Sequence, residues 1–117
     1  MKTKSVEMTL LFDLYGELLT EKQQQLFDLY YNEDLSLAEI AELLKISRQG
    51  VRDGIVRAES LLRRFDEILS LSKTLEQSAR IAALAQQILL HTEDKTLRQF
   101  SEEIISLTQL QGGNHGI

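Results

Sequence analysis

The 117-residue sequence contains no cysteine, no proline and no tryptophan. Without cysteine there is no disulfide framework and no thiolate metal site, a pattern that suits a cytoplasmic protein. Without proline, no helix is forced to stop by ring geometry. No apolar run approaches 18 residues, so no membrane-spanning helix is expected. The opening stretch MKTKSVEMTLLFDLYGELL is not expected to act as a signal peptide, because Glu7, Asp13 and Glu17 interrupt its apolar run. Basic charge is scarce overall: 13 Lys and Arg against 18 Asp and Glu, a net −5. A net anion is repelled by a duplex, which argues against indiscriminate nucleic-acid binding by the whole molecule.

The basic residues that are present are concentrated. Residues 45–65 hold Lys45, Arg48, Arg52, Arg57, Arg63 and Arg64 against only Asp53 and Glu59, a local +4 that leaves −9 for the remainder. Hydrophobic residues make up 43% of the chain, enough for a packed core. They recur at helical spacing nearly everywhere, and no segment alternates as a strand would.

The spacing predicts a helix over residues 6–19, with Leu11, Leu14, Tyr15, Leu18 and Leu19 on one face. Thr20-Glu21-Lys22-Gln23 has the form of a capping box and opens a second helix carrying Leu26, Phe27, Tyr30 and Tyr31. Asn32-Glu33-Asp34 suits a turn. Ser36-Leu37-Ala38-Glu39 is a second capping box, starting a short helix with Leu37, Ile40, Ala41 and Leu44 inward. Lys45-Ile46-Ser47 is a tight connection, with Ser47 as N-cap of a longer helix whose inward stripe is Val51, Ile55, Ala58, Leu62 and Phe65.

Positions 61, 65, 68, 72, 75, 79, 82, 86 and 89 then continue in steps of four and three, a 3.5-residue seam. It reads either as a packing stripe against the N-terminal helices or as a helical dimer interface. A bend near Ser72, with Thr74 capping a fresh helix, would divide residues 48–91 in two. Thr92 with Glu93 and Asp94 suits the start of a last helix bearing Leu97, Phe100, Ile104, Ile105 and Leu107, and the tail QGGNHGI is expected to fray.

Residues 36–65 have the layout of a helix-turn-helix, in which the second helix enters the major groove and its N-terminal residues meet base edges. With Val51 facing the core, a rotation of 100° per residue points Gln49, Asp53, Val56 and Ser60 outward, flanked by Arg52 and Arg57. Gln49 suits adenine and Arg52 suits guanine. Lys45, Ser47, Arg48 and Arg57 are placed for phosphates, near the positive end of the helix dipole. Asp53 opposes phosphate or restricts readout to donating bases such as cytosine. Gly50 and Gly54 share one flank and cost about 1 kcal/mol each relative to alanine, unless a neighbour approaches closely there.

No catalytic constellation is legible. His91 and His115 are far apart in sequence, Glu102 and Glu103 point to different sides of a helix, and Gly112-Gly113 precedes no helix. The sequence therefore implies neither an enzyme nor a metal or other cofactor. Tyr30 and Tyr31 fit the edge of a core better than a platform for stacking bases.

DLSLAEIAELLKISRQGVRDGIVRAESLLRRF resembles region 4 of bacterial sigma factors, which reads the −35 promoter element. The wider pattern of LLFDLY, LLTEKQ, LYYNEDLSLAEIAE and the SRQ–V core is similar to the YlxM family of small bacterial helix-turn-helix proteins, over residues 8–65. That family commonly has alanine after SRQ, where this chain has Gly50, and often tyrosine where this chain has Arg52.

The resemblance implies an all-α fold: a sigma-region-4-like helix-turn-helix bundle with a C-terminal helical extension. Residues 1–71 would form the N-terminal domain and residues 72–117 the extension. It also implies a DNA-binding regulator with a link to the signal recognition particle pathway, a link that rests on gene neighbourhood. The expected partners are DNA before RNA, components of that particle, and a second copy of the chain. A protein-interaction adaptor that does not bind DNA is the alternative.

Overall fold

Two of the three N-caps that define the helix-turn-helix are complete capping boxes in a computed structural model of the protein, which describes residues 5–109. Thr20 Oγ1 accepts from the Gln23 amide at 3.2 Å while Gln23 Oε1 accepts from the Thr20 amide at 2.9 Å. Ser36 and Glu39 repeat the exchange at 3.1 and 2.8 Å. Each box satisfies two amide donors that a helix start would otherwise leave orphaned.

Six α-helices form among the described residues, and no strand: α1 (Val6–Tyr15), α2 (Glu21–Phe27), α3 (Leu37–Leu44), α4 (Arg48–Leu69), α5 (Leu71–His91) and α6 (Lys95–Thr108). The expected all-α architecture is what the chain adopts, with four helices in its N-terminal part. None of the helices is long and apolar enough to cross a membrane.

The chain divides into two compact units after Ser72. In the first, α4 serves two adjoining clusters of core residues. Its C-terminal half contributes Ala58 and Leu62 to a cluster with Met8, Leu11, Tyr15, Leu19 and Phe27. Its N-terminal half contributes Val51 and Ile55 to a cluster with Leu26, Tyr30, Ile40 and Ala41. The inward stripe read from the sequence is thus the shared wall of the core, with Phe65 packed at its edge. Truncating a stripe residue such as Ile55 to alanine would cost about 2–5 kcal/mol.

Local irregularities depart from the sequence reading. The first helix ends at Tyr15 and tightens into a 3₁₀ turn over Gly16–Leu18, which leaves Leu18 exposed and Leu19 buried. The second helix widens into a π turn over Asp28–Asn32, closed by the Glu33 amide on the Asp28 carbonyl at 3.0 Å. The widened turn accompanies a three-ring stack. Phe12 lies on Phe27 with centroids 4.4 Å apart, and Phe27 lies on Tyr31 at 4.1 Å. The Tyr31 hydroxyl donates to Glu59 on α4. Both tyrosines of the pair are therefore part of the core and its rim, as the sequence suggested.

The 3.5-residue seam is not continuous. Leu61 and Phe65 pack on the N-terminal core, but Ile68 is exposed and Ser70 adopts a left-handed conformation (φ 57°) that ends α4. A new helix begins at Leu71, so residues 48–91 form two helices, with the break at Ser70 instead of near Ser72. In the second unit, the last helix is capped by Asp94, whose carboxylate accepts from the Leu97 amide at 3.0 Å. Thr92, read as its start, instead accepts from the Asp94 amide at 3.2 Å.

Candidate nucleic-acid interface

The connection between α3 and α4 is made by one residue in an unusual conformation. Lys45 sits at φ 59°, ψ 45°, the left-handed region, directly after α3. This reverses the chain within three residues and lets the Ile46 amide reach the Ala41 carbonyl at 3.1 Å. A non-glycine residue here costs roughly 1–2 kcal/mol, which the packed helices on either side must offset. Ser47 then caps α4, its hydroxyl accepting from the Gly50 amide at 2.9 Å.

Burial of Val51 and Ile55 fixes the rotation of α4 and turns its other side to solvent. Gln49, Asp53, Val56 and Ser60 are exposed along that side, as are Arg52 and Arg57 beside them. Lys45, Ser47 and Arg48 are exposed at its N-terminal end. Gln49 to Ser60 spans about 16 Å at 1.5 Å per residue, and a major groove is about 12 Å wide. All nine of these residues are thus on the accessible surface of the turn and α4.

That surface is not idle. Asp53 Oδ1 accepts from the Gln49 side-chain amide at 2.9 Å and lies 3.7 Å from Arg52 Nη1. The two side chains best suited to read bases both touch one carboxylate, through exposed contacts of little energetic weight. Arg63 lies near Tyr31 and Glu59, away from the exposed strip's N-terminal end. Arg64 is 3.9 Å from Glu67, an exposed pair of little energetic weight.

The two glycines of α4 differ. A β-carbon on Gly54 would stand 2.4 Å from Leu26 Cδ1, so α2 packs against α4 at that point. A β-carbon on Gly50 would meet only the Ser47 hydroxyl at 3.1 Å. Gly54 is the close-approach residue; Gly50 has no comparable role.

The packing of α2 on α4 also introduces a residue that the sequence reading missed. Lys22, in the first turn of α2, lines a shallow surface depression together with Gly50, Asp53, Gly54 and Arg57. It lies 28 to 35 positions from these partners, so no local pattern could have grouped them. His91 is exposed, with its Nδ1 2.8 Å from the Gln87 carbonyl. His115 lies outside the described residues. No group of three or more potential metal ligands occurs among the described residues.

Comparison with known proteins agrees with this architecture. The model of the UPF0122 family, described as "Putative helix-turn-helix protein, YlxM / p13 like", matches residues 2–104. The UPF0122 protein of Oceanobacillus iheyensis is 39% identical over 107 residues, covering 92% of this chain and 99% of that protein. A UPF0122 protein of Bacillus cereus is 39% identical over 109 residues, with the same coverage. A UPF0122 protein of Thermoanaerobacter pseudethanolicus is 61% identical over 66 residues, 56% of each chain, so that match spans about half of the relative's length. From the family match and the two near-full-length relatives, this chain belongs to the UPF0122 family, the helix-turn-helix proteins resembling YlxM and p13.

Proposed function

We propose that this protein is a helix-turn-helix regulator that binds duplex DNA through the exposed side of α4. The observation that carries this reading is the exposed strip Gln49–Arg52–Asp53–Val56, edged by Arg48 and Arg57 at the N-terminal half of a rigidly packed helix. In this reading Gln49 and Arg52 contact base edges, and Lys45, Ser47, Arg48 and Arg57 contact phosphates. Lys22 adds a phosphate contact from α2. The surrounding −9 limits adhesion to arbitrary sequence, so binding depends on the contacts of α4.

The proposal is tested by fluorescence anisotropy with mixed duplexes at about 50 and about 200 mM salt. The four cationic phosphate contacts, Lys22, Lys45, Arg48 and Arg57, would weaken binding by on the order of 100-fold between those conditions. Arg52→Ala should weaken it further at either salt. Absence of duplex binding at about 50 mM salt would overturn the reading.

A second reading is favoured by the engagement of Gln49 and Arg52 with Asp53 and by the net −5. In it the helix-turn-helix is a scaffold. The acidic remainder docks a basic protein, and the family resemblance nominates the signal recognition particle GTPase or its RNA complex. Binding to that GTPase that survives Arg52→Ala and fails on reversal of exposed carboxylates would favour this second reading.

A further inference from the structure

In the second unit, α5 and α6 carry the same arrangement of side chains. Ile81, Leu84, Ala85 and Ile88 on α5 match Leu97, Phe100, Ser101 and Ile104 on α6, each at i, i+3, i+4 and i+7. In both helices the small residue is buried, Ala85 at 2% exposure and Ser101 at 1%. In both, the large residues are left between 37% and 58% exposed. We infer that this repeated apolar face pairs with the same face of a second copy of the chain, joining two helical hairpins into a four-helix bundle.

The hairpin geometry comes first. Only Thr92–Asp94 connect the two helices, and Ala85 and Ser101 lie equally far, eight residues, on either side of Glu93. The Arg98 guanidinium donates to the Leu89 carbonyl at 2.7 Å and to the Thr92 carbonyl at 3.0 Å, tying the first turn of α6 to the end of α5. A connection this short turns the second helix back antiparallel. In such a pair Ala85 and Ser101 come level, and two small side chains allow close approach. The Ser101 hydroxyl donates to the Leu97 carbonyl at 2.9 Å, so its burial leaves no orphaned polar group.

The position of the large residues then follows from rotation. At about 100° per residue, Ile81, Leu84 and Ile88 lie about 40–100° to one side of Ala85, and Leu97, Phe100 and Ile104 lie equally to the same side of Ser101. A two-fold rotation that exchanges antiparallel helices keeps this side on one face of the hairpin. Six large apolar side chains therefore share a face, with Leu107 at its margin. No charged residue of either helix falls in that sector.

A second copy is the occupant that fits. Together with Leu107, these side chains expose roughly 700 Å² per copy, close to the ~800 Å² per partner of a standard interface. Residues 73–108 carry four basic and five acidic residues, a net −1, so two such faces do not repel each other. The face offers no charge for a strongly basic or acidic partner to grip. Because both helices bear one pattern, a two-fold axis lays α5 of one copy on α6 of the other, which makes the surface its own complement.

Sedimentation equilibrium of the full chain tests this from about 1 to about 100 µM. The expected mass is twice 13.4 kDa. Leu84→Glu combined with Phe100→Glu should give a monomer of unchanged helical circular dichroism. Leu90→Glu, at a residue 74% exposed on the opposite side of α5, should leave the dimer intact. A wild-type chain that is monomeric throughout would overturn the inference, and so would a dimer that survives the double substitution or is lost with Leu90→Glu.

Discussion

The hydroxyl of Tyr15 donates to Asp66 Oδ1 at 2.6 Å, joining residues 51 positions apart. The same hydroxyl accepts from the Leu71 amide at 2.9 Å, and Asp66 also accepts from the Ser72 amide at 3.2 Å and its hydroxyl at 2.6 Å. One phenol and one carboxylate thus serve α1, the end of α4 and the start of the next helix. Tyr15 is almost fully buried, so Tyr15→Phe would leave the Leu71 amide and Asp66 each short of a partner. The expected loss is about 1–3 kcal/mol. For a domain of this size that lowers Tm by about 4–8 °C per kcal/mol, measured by thermal unfolding.

The same network predicts an acid-side weakness. The Ser72 hydroxyl, and after it the Tyr15 hydroxyl, hold the Asp66 carboxyl below its ordinary value. A group whose folded-state pKa is depressed contributes stability above its unfolded value, near 4, and loses it as pH falls through the folded value. Asp66→Asn should therefore lower Tm at pH 7 and make Tm fall less steeply below about pH 4. A parallel acid slope in mutant and wild type would contradict this assignment.

At the alkaline end the sign reverses. Burial, then the hydrogen bond to Glu59, push the Tyr31 phenol up from its ordinary value. A raised folded-state value contributes stability below about pH 10 and loses it as pH rises beyond. Tyr31→Phe should flatten that alkaline loss in the same unfolding measurements.

The two glycines of α4 should differ in how far alanine destabilises them. Gly50→Ala crowds the Ser47 hydroxyl at 3.1 Å, the acceptor that caps α4, so the helix-propensity gain of about 1 kcal/mol is offset by the displaced cap. Gly54→Ala drives a β-carbon into Leu26, itself buried, and overpacking costs typically about 1–3 kcal/mol. Urea titrations should show a clearly lower midpoint for Gly54→Ala and a much smaller change for Gly50→Ala.

Asp53 supplies a prediction of opposite direction to Arg52→Ala. Removing its carboxylate frees the Gln49 amide and the Arg52 guanidinium and deletes a charge that faces phosphate. Asp53→Ala should tighten duplex binding, by several-fold at about 50 mM salt and less at about 200 mM. Unchanged or weaker affinity would mean that Asp53 is itself a readout residue.

What the sequence disclosed was what neighbouring residues decide. The boxes at Thr20–Gln23 and Ser36–Glu39, the cap at Ser47 and the stripe from Val51 to Leu62 are local patterns, and each forms. The helix break at Ser70 carries no glycine or proline to announce it. It coincides with hydrogen bonds that Asp66 makes to distant Tyr15 and to Ser72. The π turn at Asp28–Asn32 accompanies a ring stack and a contact to Glu59 that no local window contains. Lys22 joins the surface of α4 only because Gly54 admits α2. The accessible strip could be read from rotation alone, whereas its engagement by Asp53 required side-chain geometry.

The proposed function requires the N-terminal half of α4 to meet DNA. The most direct test is an amide chemical-shift titration of the full chain with a duplex at about 50 mM salt. Shifts are expected at residues 45–57 and around Lys22, with α5 and α6 unmoved. Shifts confined to residues outside α2 and α4, or none at saturating duplex, would contradict that function.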